Sequence, residues 1–135
     1  MTHYSFIALR LVLGWVFFYA GITKVLDPEW SAGGYLKGAK VLSSFYGWLA
    51  SPAVLPITNF LNEWGLTLIG TSLILGVGVR YSAVLGALLM LLYYIPQGFP
   101  YPNPHSLIVD EHIVYIAALL LLASRAPEGG LWLGK

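Results

Sequence analysis

Residues 81–95 read YSAVLGALLMLLYYI, and they open a longer stretch, residues 81–109, in which no residue is charged. This first part is long, apolar and rich in leucine. A helix needs about 20 mostly apolar residues to cross a hydrocarbon layer about 30 Å thick. The stretch therefore predicts a transmembrane helix, and similar gaps between charges mark the other spans.

These gaps predict an all-α fold, a transmembrane four-helix bundle formed by a single domain, residues 1–135. The predicted spans are residues 4–26, 56–79, 80–97 and 107–125. Arg10 and Lys24 interrupt the first span, Glu63 lies within the second, and Asp110 and Glu111 cluster at the start of the fourth.

The composition agrees with lipid as the solvent. Of the 135 residues, 58% are apolar and only 10% are charged, against about a quarter charged in an ordinary globular domain.

The net charge of +1 provides no basic field, so nucleic acid is not an expected partner. The absence of cysteine excludes disulfides and cysteine-ligated iron–sulfur clusters. The three scattered histidines predict no metal site, and no haem or flavin motif is present.

Residues 29–55 are too polar to span the membrane, yet their apolar and aromatic residues recur roughly at helical spacing. These residues are Tyr35, Leu36, Leu42, Phe45, Tyr46, Trp48 and Leu49. The pattern suits an interfacial amphipathic helical loop whose aromatic side chains lie at the level of the lipid headgroups. A loop helix that caps the bundle is an equally good interpretation.

An even number of spans puts both termini on the same face of the membrane as the short turn at Arg80. The positive-inside rule counts basic residues. On this face Arg80, Arg125 and Lys135, with Arg10 just inside it, favour cytoplasmic termini in the cell membrane. Membrane lipid is one expected partner. A partner protein subunit or a second copy of the chain is the other.

Ionisable residues inside spans are costly, about 2.5–3.5 kcal/mol at a helix centre on insertion scales, so they usually face the bundle. A rise of about 1.5 Å per residue lets one group of side chains converge on the outer half of the bundle. The group consists of Lys24, Glu63, Tyr93, Tyr94, Gln97, Asp110, Glu111 and His112. Arg10 lies near the opposite face and cannot join them.

Three of the ionisable residues have competing interpretations. Glu63 either forms a buried ion pair with Lys24 that fixes the helix packing or accepts a proton beside a bound ligand. His112 is either a hydrogen-bonded interface residue or a ligand or proton relay. Arg10 either extends to the headgroups or binds an anionic lipid or a partner subunit.

Small residues at helical spacing predict close approach of the helices. They are Gly14 and Gly21 in the first span, Gly65 and Gly70 in the second, and Ser82 and Gly86 in the third. Packing is the main expectation for them, with space for a ligand as the second.

Short motifs along the chain resemble the DoxX/DoxD family of small four-helix membrane proteins. The first span is similar to that family's opening helix at Leu9, Arg10, Leu11, Gly14, Phe17, Ala20, Gly21 and Lys24. The second span and its turn are similar at Glu63, Trp64, Gly65, Gly70, Leu75, Gly76 and Arg80. His112 stands where many members carry a histidine, and residues 30–36, WSAGGYL, resemble the DoxD branch.

The resemblance implies a redox function at the membrane. DoxD-type proteins are membrane subunits of thiosulfate:quinone oxidoreductase, which passes electrons from thiosulfate to membrane quinone and yields tetrathionate. Other relatives are membrane partners of redox or sulfur-handling proteins. The fold also resembles the four-helix bundle of vitamin K epoxide reductase. The cysteine pair of that enzyme is absent here, so this chain alone cannot reduce a quinone with thiols.

The leading hypothesis is an integral membrane subunit that interacts with quinone in an oxidoreductase, with a sulfur compound such as thiosulfate as the electron donor. Glu63 and His112 are the predicted catalytic residues, which would exchange protons with the quinone. The predicted binding residues and cavity walls are Lys24, Trp48, Trp64, Tyr93 and Tyr94. The alternative is a non-catalytic scaffold or anchor subunit of a larger membrane complex. A small transporter or channel is a third interpretation.

Overall fold

The computed structural model describes residues 2–97, 109–128 and 130–132. They form six α-helices, a short 3-10 helix at Ile95–Gln97 and one isolated bridge between Val77 and Leu131. The α-helices are α1 (Thr2–Val25), α2 (Gly33–Lys37), α3 (Ser43–Leu49), α4 (Leu55–Leu75), α5 (Val79–Tyr94) and α6 (Glu111–Arg125). The predicted all-α class is thus confirmed for the described part of the chain.

The four longer helices, α1, α4, α5 and α6, lie where the sequence predicts spans. The fourth begins at Glu111 because Asp110 has an extended backbone and caps the helix, accepting a hydrogen bond from the Ile113 backbone nitrogen at 3.2 Å. Residues 107 and 108, which the prediction includes, lie outside the described residues. In the described part, Tyr4–Val25 is the one helical stretch both long and apolar enough to cross a membrane, and α5 is a shorter apolar helix.

The four longer helices associate as two close pairs. Helix α1 packs mainly against α4, and α5 packs mainly against α6. The contact between α4 and α5 is smaller, and that between α1 and α6 is smaller still. The bundle is therefore tight within each pair and loose along the line where α1 faces α6.

Glycines allow the backbones of α1 and α4 to touch. A Cβ atom added at Gly70 would lie 2.2 Å from the backbone nitrogen of Phe18, and one at Gly21 would lie 2.3 Å from the backbone nitrogen of Thr67. These distances leave no room for a side chain, so the predicted close packing is confirmed at both positions. At Gly65 an added Cβ would meet no atom within 4 Å, so this glycine takes no part in the packing.

The other predicted small residues also lie at helix contacts. Gly14 faces the side chain of Ile74 between α1 and α4. A Cβ at Gly86 would lie 3.2 Å from a side-chain carbon of Leu119, on α6. The Ser82 hydroxyl donates to the Ser72 hydroxyl at 2.6 Å, which links α5 to α4.

The four longer helices bury one set of apolar side chains and expose another. The buried set includes Leu13, Phe17, Leu66, Leu73, Ala83, Met90, Leu119 and Leu122. The exposed set includes Trp15 and Tyr19 on α1, Phe60 and Leu68 on α4, Leu85 and Leu88 on α5, and Val114 and Leu120 on α6. Soluble monomers rarely expose large apolar patches, so the outside of this bundle suits an apolar environment.

The C-terminal segment returns to the turn between α4 and α5. The Trp132 backbone nitrogen donates to the Gly76 carbonyl at 2.8 Å, and the Gly78 nitrogen donates to the Gly130 carbonyl at 3.2 Å. Gly76 and Gly78 have φ values of 78° and 62°, which favour glycine. The ring of Phe6 lies 5.9 Å from the ring of Trp132. The start of α1 and the described C-terminal residues therefore lie at the same end of the bundle.

The segment between α1 and α4 contains two short helices where the sequence suggests one amphipathic helix. Gly38 caps α2, and Leu42, at the start of α3, has a left-handed backbone with a φ of 53°. A right-handed helix cannot continue through such a residue, so the helical pattern is interrupted between α2 and α3.

The two short helices cover the end of the bundle. Leu36 and Tyr46 are buried in a small cluster of their own. The Tyr46 hydroxyl donates to the Leu92 carbonyl at 2.9 Å, and the Tyr35 hydroxyl donates to the Tyr93 carbonyl. The capping interpretation of the loop is therefore supported. The outward apolar side chains are Leu42, Phe45 and Trp48.

Replacing Gly70 by alanine should loosen the contact between α1 and α4. The added Cβ would meet backbone atoms of Phe18 and Gly14 at 2.2–2.7 Å, and overpacking of this kind typically costs about 1–3 kcal/mol. We expect a lower melting temperature for Gly70→Ala by circular dichroism of the purified protein in mild detergent.

Gly65→Ala is the matched control on the same helix, where the added methyl group meets nothing within 4 Å. Since alanine favours a helix over glycine by up to about 1 kcal/mol, this variant should melt at the wild-type temperature or slightly above it. Equal melting temperatures for Gly70→Ala and wild type would contradict the backbone contact.

Candidate functional site

A cavity of about 460 Å³ lies between the covered end of the bundle and the chain that enters α2. Its lining residues are Lys24, Trp30, Ser31, Ala32, Tyr35, Asn62, Tyr93 and His112. The volume falls within the range of about 300–1,000 Å³ that is usual for small-molecule sites. We call it the loop-side cavity. Since its walls come from the four longer helices, from α2 and from the segment that precedes α2, only the assembled fold creates it.

Hydrogen bonds hold the aromatic wall of the loop-side cavity in place. The Tyr93 hydroxyl donates to the side-chain oxygen of Asn62, and the side-chain nitrogen of Asn62 donates to the Thr58 carbonyl at 2.8 Å. The Tyr35 hydroxyl donates to the Tyr93 carbonyl. Tyr93 is thus bound through both its side chain and its backbone, so its ring has a defined orientation in the cavity wall.

Lys24 brings a positive charge to the cavity. It is half-buried, its Nζ donates to the Ala20 carbonyl at 3.1 Å, and Nζ lies 5.4 Å from the centre of the Trp30 ring. Among the described residues no salt bridge joins Lys24 to a carboxylate. The ion pair between Lys24 and Glu63, one of the two interpretations from sequence, is therefore not formed.

His112 is held at one ring nitrogen by the residue that caps α6. Its Nδ1 lies 2.8 Å from a carboxylate oxygen of Asp110. An ionised carboxylate only accepts hydrogen bonds, so Nδ1 donates and Nε2 is left to interact with a ligand. The ring of His112 also lies 6.2 Å from the ring of Tyr93, edge to face.

Asp110, which precedes the helix, is itself well satisfied. Burial alone would raise the pKa of its carboxyl group, but hydrogen bonds from His112 and from the backbone nitrogen of Ile113 outweigh burial and lower the pKa below its usual value. Asp110 therefore remains ionised at neutral pH and keeps its two roles, as cap of α6 and as partner of His112.

A second cavity, of about 330 Å³, lies between α1 and α6, and we call it the α1–α6 cleft. Its lining residues are Val16, Phe17, Ala20, Lys24, Leu66, Met90, Tyr93, Glu111, His112 and Tyr115. Lys24, Tyr93 and His112 line both cavities. The polar end of the cleft and the floor of the loop-side cavity therefore share the same three side chains.

All three shared side chains are among the residues predicted for the site. Tyr94, Trp64 and Glu63 are not part of either lining. Tyr94 is fully buried, Trp64 is 39% exposed, and Glu63 is half-buried. Successive residues of a helix point in directions about 100° apart, so a neighbour of a cavity residue faces elsewhere. The side chain of Gln97 is outside the described part.

Arg10 lies toward the opposite end of the bundle, as predicted, but its described contacts are internal. It is 6% exposed, and its Nη1 donates to the carbonyls of Leu73 and Ile74 at 2.7 and 3.1 Å. These carbonyls belong to the last turn of α4, where a cation is favoured by the helix dipole. Arg10 thus ties α1 to the end of α4, and its binding to lipid or a partner subunit stays a prediction.

Sequence reasoning does not identify several lining residues as part of the site. Asn62 is a polar residue in an apolar span, and this is the same signal that identifies Glu63 as a candidate. Trp30 and Tyr35 carry no such signal, because only the folding of the loop over the bundle end brings them to the cavity. Val16 and Ala20 are ordinary apolar residues of a span, and they line the cleft only because the tertiary structure places α6 beside them.

The geometry defines a small all-α protein with an apolar outer surface and a cavity at one end of its bundle. The DoxX family model matches residues 5–95, which is more than half of the chain. The chain therefore belongs to the DoxX family and is a membrane protein. No curated protein and no solved structure matches it significantly. Among the described residues, no group of three or more His, Asp or Glu side chains could hold a metal ion.

Removal of the Asp110 carboxylate should destabilise the start of α6. In Asp110→Ala the backbone nitrogen of Ile113 loses its acceptor, and losing an N-cap typically costs about 0.5–2 kcal/mol. We expect a lower melting temperature at neutral pH. Asp110→Asn is the matched control, because asparagine caps helices about as well as aspartate.

The destabilisation should depend on pH. The folded pKa of Asp110 is lowered from an unfolded value of about 3.9, so its ionised form stabilises the protein at neutral pH. This contribution is lost as the pH falls below about 4 and through the folded pKa. The melting difference between wild type and Asp110→Ala should therefore shrink in acid, and a constant difference would contradict the stabilising role of the charge.

Proposed function

We propose that the chain is a four-span integral membrane subunit that binds a quinone in the loop-side cavity as part of an oxidoreductase. The spans are assigned to α1, α4, α5 and α6, because each of these helices exposes large apolar side chains on its outer surface. Such an outer surface is favourable in lipid and costly in water.

The helix lengths are compatible with this assignment. Helices α1 and α4 have 24 and 21 residues, or about 36 and 32 Å at about 1.5 Å per residue. Helices α5 and α6 have 16 and 15 residues, or about 24 and 22 Å. The shorter pair would be accommodated by local thinning of the bilayer and, on α5, by the 3-10 turn that follows it.

The two ends of the bundle differ in their basic residues. Arg80 and Arg125 lie near the end that holds the described C-terminal residues, while Lys24 and the loop lysines lie near the other. We assign the termini to the cytoplasm and the two short loop helices to the outer surface of the plasma membrane, as the positive-inside rule favours.

The observation that carries the quinone assignment is the meeting of Lys24, Tyr93 and His112 at one cavity in an apolar bundle. A quinone has a flat ring with two carbonyl oxygens, and it needs stacking surfaces and hydrogen-bond donors. Trp30 and Tyr93 would supply aromatic walls. Lys24 would donate a hydrogen bond to one of the quinone's carbonyl oxygens and stabilise the negative charge that develops on this oxygen during reduction.

Reduction of a quinone to a quinol takes two electrons and two protons. In its doubly protonated form, His112 would donate the proton on Nε2 to the quinone and become neutral, keeping the proton on Nδ1 that it donates to Asp110, which is general acid catalysis by a positioned side chain. Glu63, outside the lining, would act by relaying a proton toward the cavity. The electrons would come from a partner subunit that oxidises a sulfur compound such as thiosulfate, as the DoxD-like motif suggests.

The binding step can be tested on the purified protein in lipid nanodiscs. A tail-free benzoquinone should quench tryptophan fluorescence, since Trp30 lines the cavity. Hydrogen bonds to charged groups are worth about 1.5–3 kcal/mol, so Lys24→Met should raise the Kd about tenfold or more. Lys37→Met, which removes an exposed lysine of α2, should leave the Kd unchanged.

The catalytic step can be tested in membranes that contain the chain with its native partners. His112→Ala should lower thiosulfate-dependent quinone reduction by about 10²–10⁴-fold, the usual contribution of general acid–base catalysis. Arg125→Lys, remote from the cavity, should retain the wild-type rate. A wild-type rate in His112→Ala would refute the role of His112, and reduction with other donors but not thiosulfate would refute the sulfur assignment.

The outward apolar face formed by Leu42, Phe45 and Trp48 favours a second candidate, a non-catalytic scaffold or anchor subunit that holds a partner protein at the membrane surface. If no quinone binds and the chain co-purifies with a larger complex in mild detergent, this second function replaces the first.

A further inference from the structure

Helices α1 and α6 are neighbours in the bundle, but they leave a gap instead of packing along their length. On α1 the gap is bordered by Val16, Ala20 and Lys24, which recur every fourth residue and so form one stripe along the helix. On α6 it is bordered by Glu111 and Tyr115, together with His112. The stripe on α1 is half-exposed, so the α1–α6 cleft opens at the side of the bundle.

The cleft has an apolar back wall and an aromatic contact between its two sides. Leu66 and Met90, which are 2% and 6% exposed, form the back. Phe17 of α1 and Tyr115 of α6, which also line the cleft, meet edge to face at 6.5 Å. A groove of this form accommodates an apolar chain that lies along the helices and is open to lipid on one side.

The polar end of the cleft adjoins the loop-side cavity. Lys24, Tyr93 and His112 line both spaces, so a molecule with its head among these side chains has the cleft directly beneath it. The order from the covered end of the bundle is a polar and aromatic cavity, then three shared side chains, then an apolar groove. This order matches an amphiphile with a compact polar ring and a long apolar tail.

We propose that the α1–α6 cleft is a lateral portal that admits the ligand from the lipid phase and holds the first part of its apolar tail. The proposed quinone is then recognised by its tail in the cleft as well as by its ring in the loop-side cavity. This inference rests on the proposed quinone site and adds the route of access and the part of the molecule that is recognised there.

A variant that fills the cleft with a larger side chain tests whether the protein recognises the quinone's tail separately from its ring. Ala20→Phe places a ring in the groove between α1 and α6, below the head site. In nanodiscs, the Kd of a decyl-tailed benzoquinone should rise at least tenfold, while the Kd of the tail-free benzoquinone should change less than twofold. Ala8→Phe is the matched control, because Ala8 is an exposed residue of the same helix, and it should affect neither ligand.

Photolabelling of the wild-type protein gives a second measurement that does not depend on a variant. A benzoquinone with a diazirine on its tail, a few carbons from the ring, should label the peptides that contain Val16 and Tyr115. An excess of the unlabelled decyl quinone should suppress this labelling.

The possible outcomes distinguish the two proposals. If the tail-free quinone does not bind the wild-type protein, the proposed quinone site fails and the portal fails with it. If both quinones bind and Ala20→Phe changes neither Kd or both equally, the quinone site stands and the portal is wrong. Labelling that spreads over the exposed apolar faces of α4 and α5, without competition, would also overturn the portal.

Discussion

The contact between the backbones of α1 and α4 is the constraint on which the rest of the bundle depends. Gly21 and Gly70 bring these two helices closer than any side chain would allow, and Arg10 ties the start of α1 to the last turn of α4. Small residues are the usual means of such approach in membranes, where lipid tails are as apolar as the helices themselves. Helix α1 makes far less contact with α6 than with α4, and the cleft lies between α1 and α6.

The loop between α1 and α4 determines what the open end of the bundle can do. Its two tyrosines, Tyr35 and Tyr46, donate to the carbonyls of Tyr93 and Leu92 in the last turn of α5. The same bonds fix the loop over the helix ends. One of these tyrosines, Tyr35, also lines the loop-side cavity together with Lys24 and His112, so a bond that holds the loop over α5 also holds one wall of the cavity.

The two cations of α1, Arg10 and Lys24, lie in different surroundings. Arg10 donates from Nη1 to two backbone carbonyls at the end of α4, while its buried Nε has no hydrogen-bond partner among the described residues. Lys24 is half-buried at a cavity, with one backbone hydrogen bond and an aromatic ring as its described contacts. Because Lys24 lines both cavities, its charge is available to a ligand at the loop end of the bundle.

The sequence by itself determines the four longer helices, because charge-free runs and the cap at Asp110 act through neighbours in the chain. It also brings Lys24, Tyr93 and His112 to the same depth, since a helix rises by a constant amount per residue. Depth does not fix direction around the helix axis, so Glu63, Trp64 and Tyr94 share that depth without lining the cavity. Only the tertiary structure decides which of these side chains line the cavity. The pairing of α1 with α4, the break in the loop helix at Leu42 and the meeting of Trp30, Tyr35 and Asn62 at one site are also decided by the tertiary structure, because these contacts join residues far apart in the chain.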